Sequence, residues 1–334
     1  MATDSPSVAR ARLCLVLAAV LWSSGSVFTR VLGQPTPLGL HEPSLSPLQL
    51  AFFRGLFGGL GLALVVRRRD VRFHPLMGGM VITFAVMSGL YLSALALGPA
   101  ANAIFLQNTA PFWLYLLTVF VLGQPGDRRG WQAVLLGFVG AVVIVAGNWP
   151  RNLPPNEQQA QVAILGMGLG SGVVYAGVVI FLRVLREYSP AWLVVLNLIG
   201  SAVALALFVL VKDGPAAWVS WVTTPTARQL AVLAVFGVVQ MATPYWLFAR
   251  GLRTVGPVEA GIITLLEPLL NPVWAYLITP EKDTPTPAMY AGGLLILAAL
   301  AWRYVPVRES TGGTGVPPVS PEEDRRDAGP TIPD

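Results

Sequence analysis

Two charged side chains stand where charge is costly. Glu267 lies in the apolar run from about 257 to 279, and Arg54 in the run from about 46 to 66. A run of about 20 mostly apolar residues is long enough to cross a hydrocarbon layer. A charge inside one costs at least ~2.5 kcal/mol to insert, so it must face a partner or a wet cavity. Counted from Pro257, Glu267 is about 15 Å deep, and Arg54 is about 12 Å below the opposite face. At similar depths they could neutralise each other or the two ends of a zwitterion, and the acid could carry a proton. The competing reading makes Glu267 a structural acid steadying a kink at Pro268. For Arg54 it is a packing role, which its counterpart Asn197 in an internal repeat favours.

Other polar and aromatic side chains fall at matching depths. Thr264, Glu267, Asn271 and Trp274 are spaced i, i+3, i+7 and i+10, one stripe of a helix. Gln107 and Thr264 are repeat equivalents, as are Thr83 and Gln240, and at lipid depth each must find a partner or line a cavity. Trp22, Tyr91, Tyr175 and Trp246 offer flat rings with a polar edge, suited to a cavity for an organic solute. Ordinary packing or an interfacial belt is their alternative, and the belt reading suits Trp218 and Trp221. Glu259, just after Pro257, complements a helix N-terminus and lies near Arg250 and Arg253.

These residues are positioned by membrane-spanning helices. The 334 residues are 54% hydrophobic and 12% charged, about half the charge a soluble domain carries. Ten apolar runs recur, at roughly 11–32, 46–66, 76–97, 100–122, 130–148, 162–182, 190–211, 229–249, 257–279 and 287–305. With the N-terminus inside, 16 basic residues fall on the inner side, 5 on the outer, and Arg54 within a span. That bias places both termini in the cytoplasm of a cell inner-membrane protein. The Arg67-Arg68-Arg69-Asp70-Val71-Arg72 run is an orientation signal that also suits anionic lipid.

The chain repeats itself. Ser46-Pro47-Leu48-Gln49-Leu50 matches Ser189-Pro190-Ala191-Trp192-Leu193 and the similarity continues without a gap to Leu64 and Leu207. Arg30-Val31-Leu32 matches Arg183-Val184-Leu185, setting Trp22 opposite Tyr175. Pro111 and Gln124 are spaced like Pro268 and Glu281, and Gly98-Pro99 agrees with Gly256-Pro257 within one residue. Five spans per copy make the copies insert in opposite directions, and inverted repeats place a binding site near the membrane midplane. The expected architecture is all-α: a polytopic protein of ten transmembrane helices in two inverted five-helix repeats. Residues 1–10 form a cytoplasmic segment, 11–150 and 160–305 the repeats, and 306–334 a polar, disordered tail.

Several functions are disfavoured. Cys14 is the single cysteine and His41 and His74 the only histidines, which leaves no disulfide framework, no His/Cys metal site and no expected cofactor. Gly166, Gly168, Gly170 and Gly172 miss the dinucleotide spacing at Ser171 and lie within a span. The pI near 9.7 reflects arginine clusters between spans, so nucleic acid is not an expected partner. A membrane-embedded enzyme needs clustered acids, histidines or metal ligands, and a non-transporting scaffold or sensor would be expected to carry a soluble domain. No catalytic residue is assigned.

Leu21-Trp22-Ser23-Ser24-Gly25, Ala51-Phe52-Phe53-Arg54, Pro111 with the run to Leu122-Gly123-Gln124, and Leu266-Glu267-Pro268 with Glu281 together resemble the EamA-type half-repeat of the drug/metabolite transporter superfamily. The resemblance covers residues 11–305, twice over. It departs at Gln124, where the family has an acid. It implies a ten-helix transporter with spans 1, 3, 4, 6, 8 and 9 around a central cavity, in a family moving amino acids, sugars, nucleotide derivatives and other metabolites. The expectation is a secondary transporter exporting an amino acid or related solute by alternating access. Its partners would be that solute, membrane lipid and, as a candidate, a second copy of the chain.

Overall fold

Residues 6–151 and 153–304 are described by a computed structural model, and the tail from 306 lies outside them. The described residues are helical and contain no strand. Eight helices are long and apolar enough to cross a membrane: α1 (Val8–Gly33), α3 (Leu76–Leu97), α4 (Ala100–Phe120), α5 (Arg128–Gly147), α6 (Pro155–Val184), α7 (Pro190–Thr223), α8 (Ala227–Gly251) and α9 (Glu259–Ile278). Two shorter apolar helices, α2 (Pro47–Ala63) and α10 (Pro287–Tyr304), occupy the second and tenth runs. Helix α7 extends past the expected end near 211. Gly214, at φ +84°, turns the chain before a final segment to Thr223. There Trp221 donates to Ser46 Oγ at 3.1 Å and packs on Phe52, so it is a structural contact.

Prolines break the helices at matching places. A proline lacks the N–H that would bond the carbonyl four residues earlier, and its ring clashes with that carbonyl. In α4, Pro111 follows a break at Asn108–Thr109. In α9, Pro268 follows the break at Leu265 between Pro257–Thr264 and Leu266–Ile278. In α8, Pro244 follows a π-turn over Val238–Ala242, the wider turn that accommodates such a conflict. The carbonyls four residues before these prolines belong to Gln107, Thr264 and Gln240, all polar residues at mid-depth. Helix α1 breaks at Ser24 instead, where Ser23 and Ser24 turn their hydroxyls onto the carbonyls of Val20 and Leu21, a local competitor for helix bonding.

Packing follows the internal repeat. Helix α3 packs on α6 and α8 on α1; α3 packs on α7 and α8 on α2; α4 packs on α6 and α9 on α1. Exchanging α1–α5 with α6–α10 returns each of these pairs and maps the α2–α7 and α5–α10 pairs onto themselves, whereas the packing of α3 on α1, α2 and α4 has no counterpart of similar extent in the second half. Both self-paired crossings are antiparallel. Gly55 lies against Ala202, Gly59 against Ile199, and Leu62 clusters with Val195. At the other crossing Gly140 meets Gly292, Gly147 meets Ala288, and Asp127 pairs with Arg303 at 3.0 Å. A side chain on Gly140 would place its Cβ 2.6 Å from the Gly292 carbonyl oxygen. Small residues of this kind let backbones approach within a membrane. Gly140→Leu is expected to prevent α5 from docking on α10, read as loss of the monodisperse peak on size-exclusion chromatography.

Candidate functional site

The breaks in α1, α4, α8 and α9 surround a buried polar cluster. Arg54, in the middle of α2, is 4% exposed. Its Nη2 donates to Ser88 Oγ at 2.9 Å and its Nη1 to Gln240 Oε1 at a long 3.4 Å, while Nε has no partner. The guanidinium also lies 5.7 Å from the Phe236 ring centre. Gln240, at the π-turn, donates to the Trp22 carbonyl at 3.1 Å. Glu267, one residue before the proline of α9, is electrostatically coupled to Arg54, Tyr91 and Tyr245. It is half-buried, forms no ion pair, and accepts no hydrogen bond from any described residue. One helical turn on, Asn271 is fully buried beside Tyr91 and Gly25; its amide lies close enough to the Tyr91 hydroxyl to act on it, but neither of its atoms makes a well-formed hydrogen bond. A buried amide without a partner loses about 1–3 kcal/mol relative to a satisfied one. The site thus holds a guanidinium, a carboxyl group and an amide that the fold itself leaves incompletely used.

Of the residues singled out in the sequence, Arg54, Tyr91, Gln240, Glu267 and Asn271 come together here, with Trp22 adjoining through its carbonyl. Gln107 turns its amide to Met87 Sδ at 3.4 Å. The Thr264 hydroxyl returns to Gly261 O at 2.9 Å, inside its own helix. Trp246 is more than a third exposed and covers Arg250, 3.9 Å from its ring centre. Tyr175 is exposed to a similar degree. Tyr245 and Ser88 complete the cluster and were not evident from spacing. Tyr245 packs edge-on against Trp22 at 5.2 Å; its place directly after the helix-breaking Pro244 was the one signal the sequence offered. Glu259 does not rely on Arg250 or Arg253: it accepts from Arg12 Nε at 2.5 Å, joining the starts of α1 and α9. A concave surface of about 560 Å³ is a mostly apolar groove lined by Trp113, Phe138, Val145, Trp149 and Leu169, with Arg151 at its edge. None of the residues of the central cluster lines it.

A second polar knot forms at the end of α1. Arg30 is fully buried, and its Nε and Nη2 clasp both oxygens of Asp283 at 2.6 and 2.8 Å. Arg30 Nη1 donates to Leu95 O at 2.6 Å and Nη2 to Gly98 O at 2.8 Å. Asp283 also accepts from the Ala100 amide and the Thr279 hydroxyl. Burial pushes the Asp283 carboxyl up, but hydrogen bonds from Arg30, the Arg30 charge, the Ala100 amide and Thr279 outweigh it, so the net shift is downward. Burial, then the Arg30 charge, push the neighbouring Lys282 ammonium down to about 8 against the pull of Asp283. The unfolded chain, with its lysine near 10.5, then binds more protons than the folded one between these values. Stability should therefore rise as pH climbs from about 8 to about 10.5. Thermal melting at several pH values checks this, and Lys282→Met should flatten that slope.

A sequence profile of the EamA-like transporter family matches residues 10–146 and again 162–304. A pseudopaline exporter of Pseudomonas aeruginosa is 25% identical over 77% of this chain and 85% of its own length. An uncharacterised transporter of Archaeoglobus fulgidus is 29% identical over 86% and 95%, and an S-adenosylmethionine uptake transporter of Rickettsia bellii is 23% identical over 80% and 86%. A protein of known crystal structure, 17% identical, superposes with a TM-score of 0.56 over 88% of this chain and 96% of that one, a likeness of fold alone. With the profile matching twice along nearly the whole chain, and relatives named as transporters, this multi-pass membrane protein belongs to the EamA-like transporter family.

Proposed function

We propose that the chain is a secondary transporter carrying an amino acid or related zwitterionic solute outward across the inner membrane by alternating access. The observation that carries this reading is the central cluster: a buried cation and a nearby acid that do not pair, with an amide that no well-formed hydrogen bond satisfies, enclosed by the breaks in α1, α4, α8 and α9. A carboxylate seated on Arg54 and an ammonium facing Glu267 would complete each group, with Asn271 free to serve either. Backbone irregularity deep in a membrane protein is tolerated where it lines a cavity or is covered by protein, and broken helices recur at transporter sites. The self-consistent pairing of α1–α5 with α6–α10 and the antiparallel α2–α7 and α5–α10 crossings support ten spans in two inverted repeats, 11–150 and 160–305. The arginine distribution supports cytoplasmic termini, which makes the Arg30 end of the molecule the outer one. Outward transport follows the exporter among the relatives; the uptake protein shows that related chains also work inward.

The test is counterflow of radiolabelled amino acids into proteoliposomes preloaded with the unlabelled compound. Accumulation of at least one amino acid, lost when Arg54 is changed to alanine, is the expected result. Accumulation only of solutes lacking either charge would sink the zwitterion reading.

A further inference from the structure

The two ends of this molecule are not in the same state, although the repeat gives them matching parts. At the Arg30 end, Ala100–Gln107 of α4 packs on Leu266–Ile278 of α9, and Gly25–Gly33 of α1 packs on α3. The Arg30–Asp283 clasp closes that corner, joining α1 and the α9–α10 connection to the carbonyls and amide where α3 passes into α4. At the other end, among the described residues, no comparable packing joins Ala110–Phe120 to Pro257–Thr264, or α6 to α8.

The residues of a matching clasp are nevertheless present. Arg183 is the repeat counterpart of Arg30, yet it is exposed and pairs with no acid among the described residues. Gly256-Pro257-Val258 corresponds to Gly98-Pro99-Ala100, so a carbonyl and an amide stand at equivalent places. Asp127 falls within one residue of the position corresponding to Asp283. It is half-exposed, caps Gly130 N at 2.9 Å and holds Arg303 at 3.0 Å, a surface pair of a kind worth little.

We infer that Arg30–Asp283 is the outer gate of the transport pathway, shut in this structure, and that Arg183 with Asp127 is the inner gate, formed when the outer one parts. This rests on the transporter reading above. A buried pair is strongly destabilised by the loss of one partner, so breaking the clasp must shift the population towards the outward-open form. Conversely, an exposed arginine, and an acid held only in a surface pair, stabilise little here and are available to the other state.

Accessibility of a reporter cysteine tests this without a known substrate. The full chain carries Cys14→Ser and, separately, Thr264→Cys or Gln107→Cys, and is probed with a membrane-impermeant maleimide in right-side-out and inside-out vesicles. With the clasp intact, labelling should be faster from the cytoplasmic face. Asp283→Asn should raise labelling from the outer face by about tenfold or more and lower it from the inner face. Arg183→Gln, at an exposed position that folding tolerates, should suppress the residual outer labelling and leave inner labelling at or above its starting rate. Equal increases from both faces for Asp283→Asn would mean a loosened fold and overturn the gate, as would no change in either variant. Reciprocal shifts in a protein that moves no amino acid in counterflow would retain the gates and sink the amino-acid reading; robust counterflow with symmetric labelling would do the reverse.

Discussion

Glu267→Gln is expected to lower flux of a zwitterionic solute roughly 10- to 100-fold, because a charge-assisted contact contributes ~1.5–3 kcal/mol and each 1.4 kcal/mol is a factor of ten. The change keeps shape and volume and removes only the charge. No described residue hydrogen-bonds this carboxylate, so the fold has little to lose, and melting temperature should hold or rise. A purely structural acid steadying Pro268 predicts the opposite pattern, a fall in stability with flux tracking the amount of folded protein. Flux that survives intact, with and without an imposed pH gradient, would remove Glu267 from both substrate binding and proton coupling. Exchanging the charges, Glu267→Arg with Arg54→Glu, should not rescue transport. The two are coupled at a distance and do not form a pair, and the charge at position 54 lies over the Phe236 ring face, which attracts a cation and repels a carboxylate.

Arg30→Ala should cost about 3–5 kcal/mol, on the order of a 10 °C fall in melting temperature, because it leaves the Asp283 carboxylate and two carbonyls buried without their cation. Differential scanning fluorimetry of the detergent-solubilised protein measures it. Replacing both partners with apolar residues of similar bulk, Arg30→Met with Asp283→Leu, should recover much of the loss, since the penalty lies in the orphaned charge more than in the missing attraction. If the double replacement melts as low as Arg30→Ala, the backbone contacts of Arg30 dominate the corner. The loss is capped by the stability of the alternative conformation, in which the clasp is open in the native protein as well.

Much of this was written in the chain. Each apolar run became a helix, because a segment of that length and composition can satisfy its backbone only by bonding to itself in lipid. The central cluster was legible in part, since an acid at mid-depth is conspicuous whatever surrounds it, and its place before Pro268 fell at a helix break. The break in α9 was readable from Pro268; those beside Pro111 and Pro244 emerged only with the fold, each proline lying four residues beyond Gln107 or Gln240. What did not follow from spacing was direction. Trp246 shares a helix with Gln240 but turns to Arg250, and Thr264 satisfies itself within its own turn, because a break rotates one half of a helix against the other. Asp283 was invisible for another reason. An aspartate in a Glu281-Lys282-Asp283 surface sequence looks solvated, and only the fold over Arg30 buries it. The repeat of Arg30 as Arg183 was the clue that the position mattered.

The two self-paired glycine crossings have a mechanical consequence. A pair that maps onto itself under exchange of the halves occupies the same environment before and after the halves trade conformations, so α2–α7 and α5–α10 can stay still while the other helices tilt. They form a fulcrum, with backbones too close for anything but glycine at contacts such as Gly140 on Gly292. Amide hydrogen exchange should register this division of labour: slowest along the two crossings in any conformation, and variable only in the broken helices that swing about them.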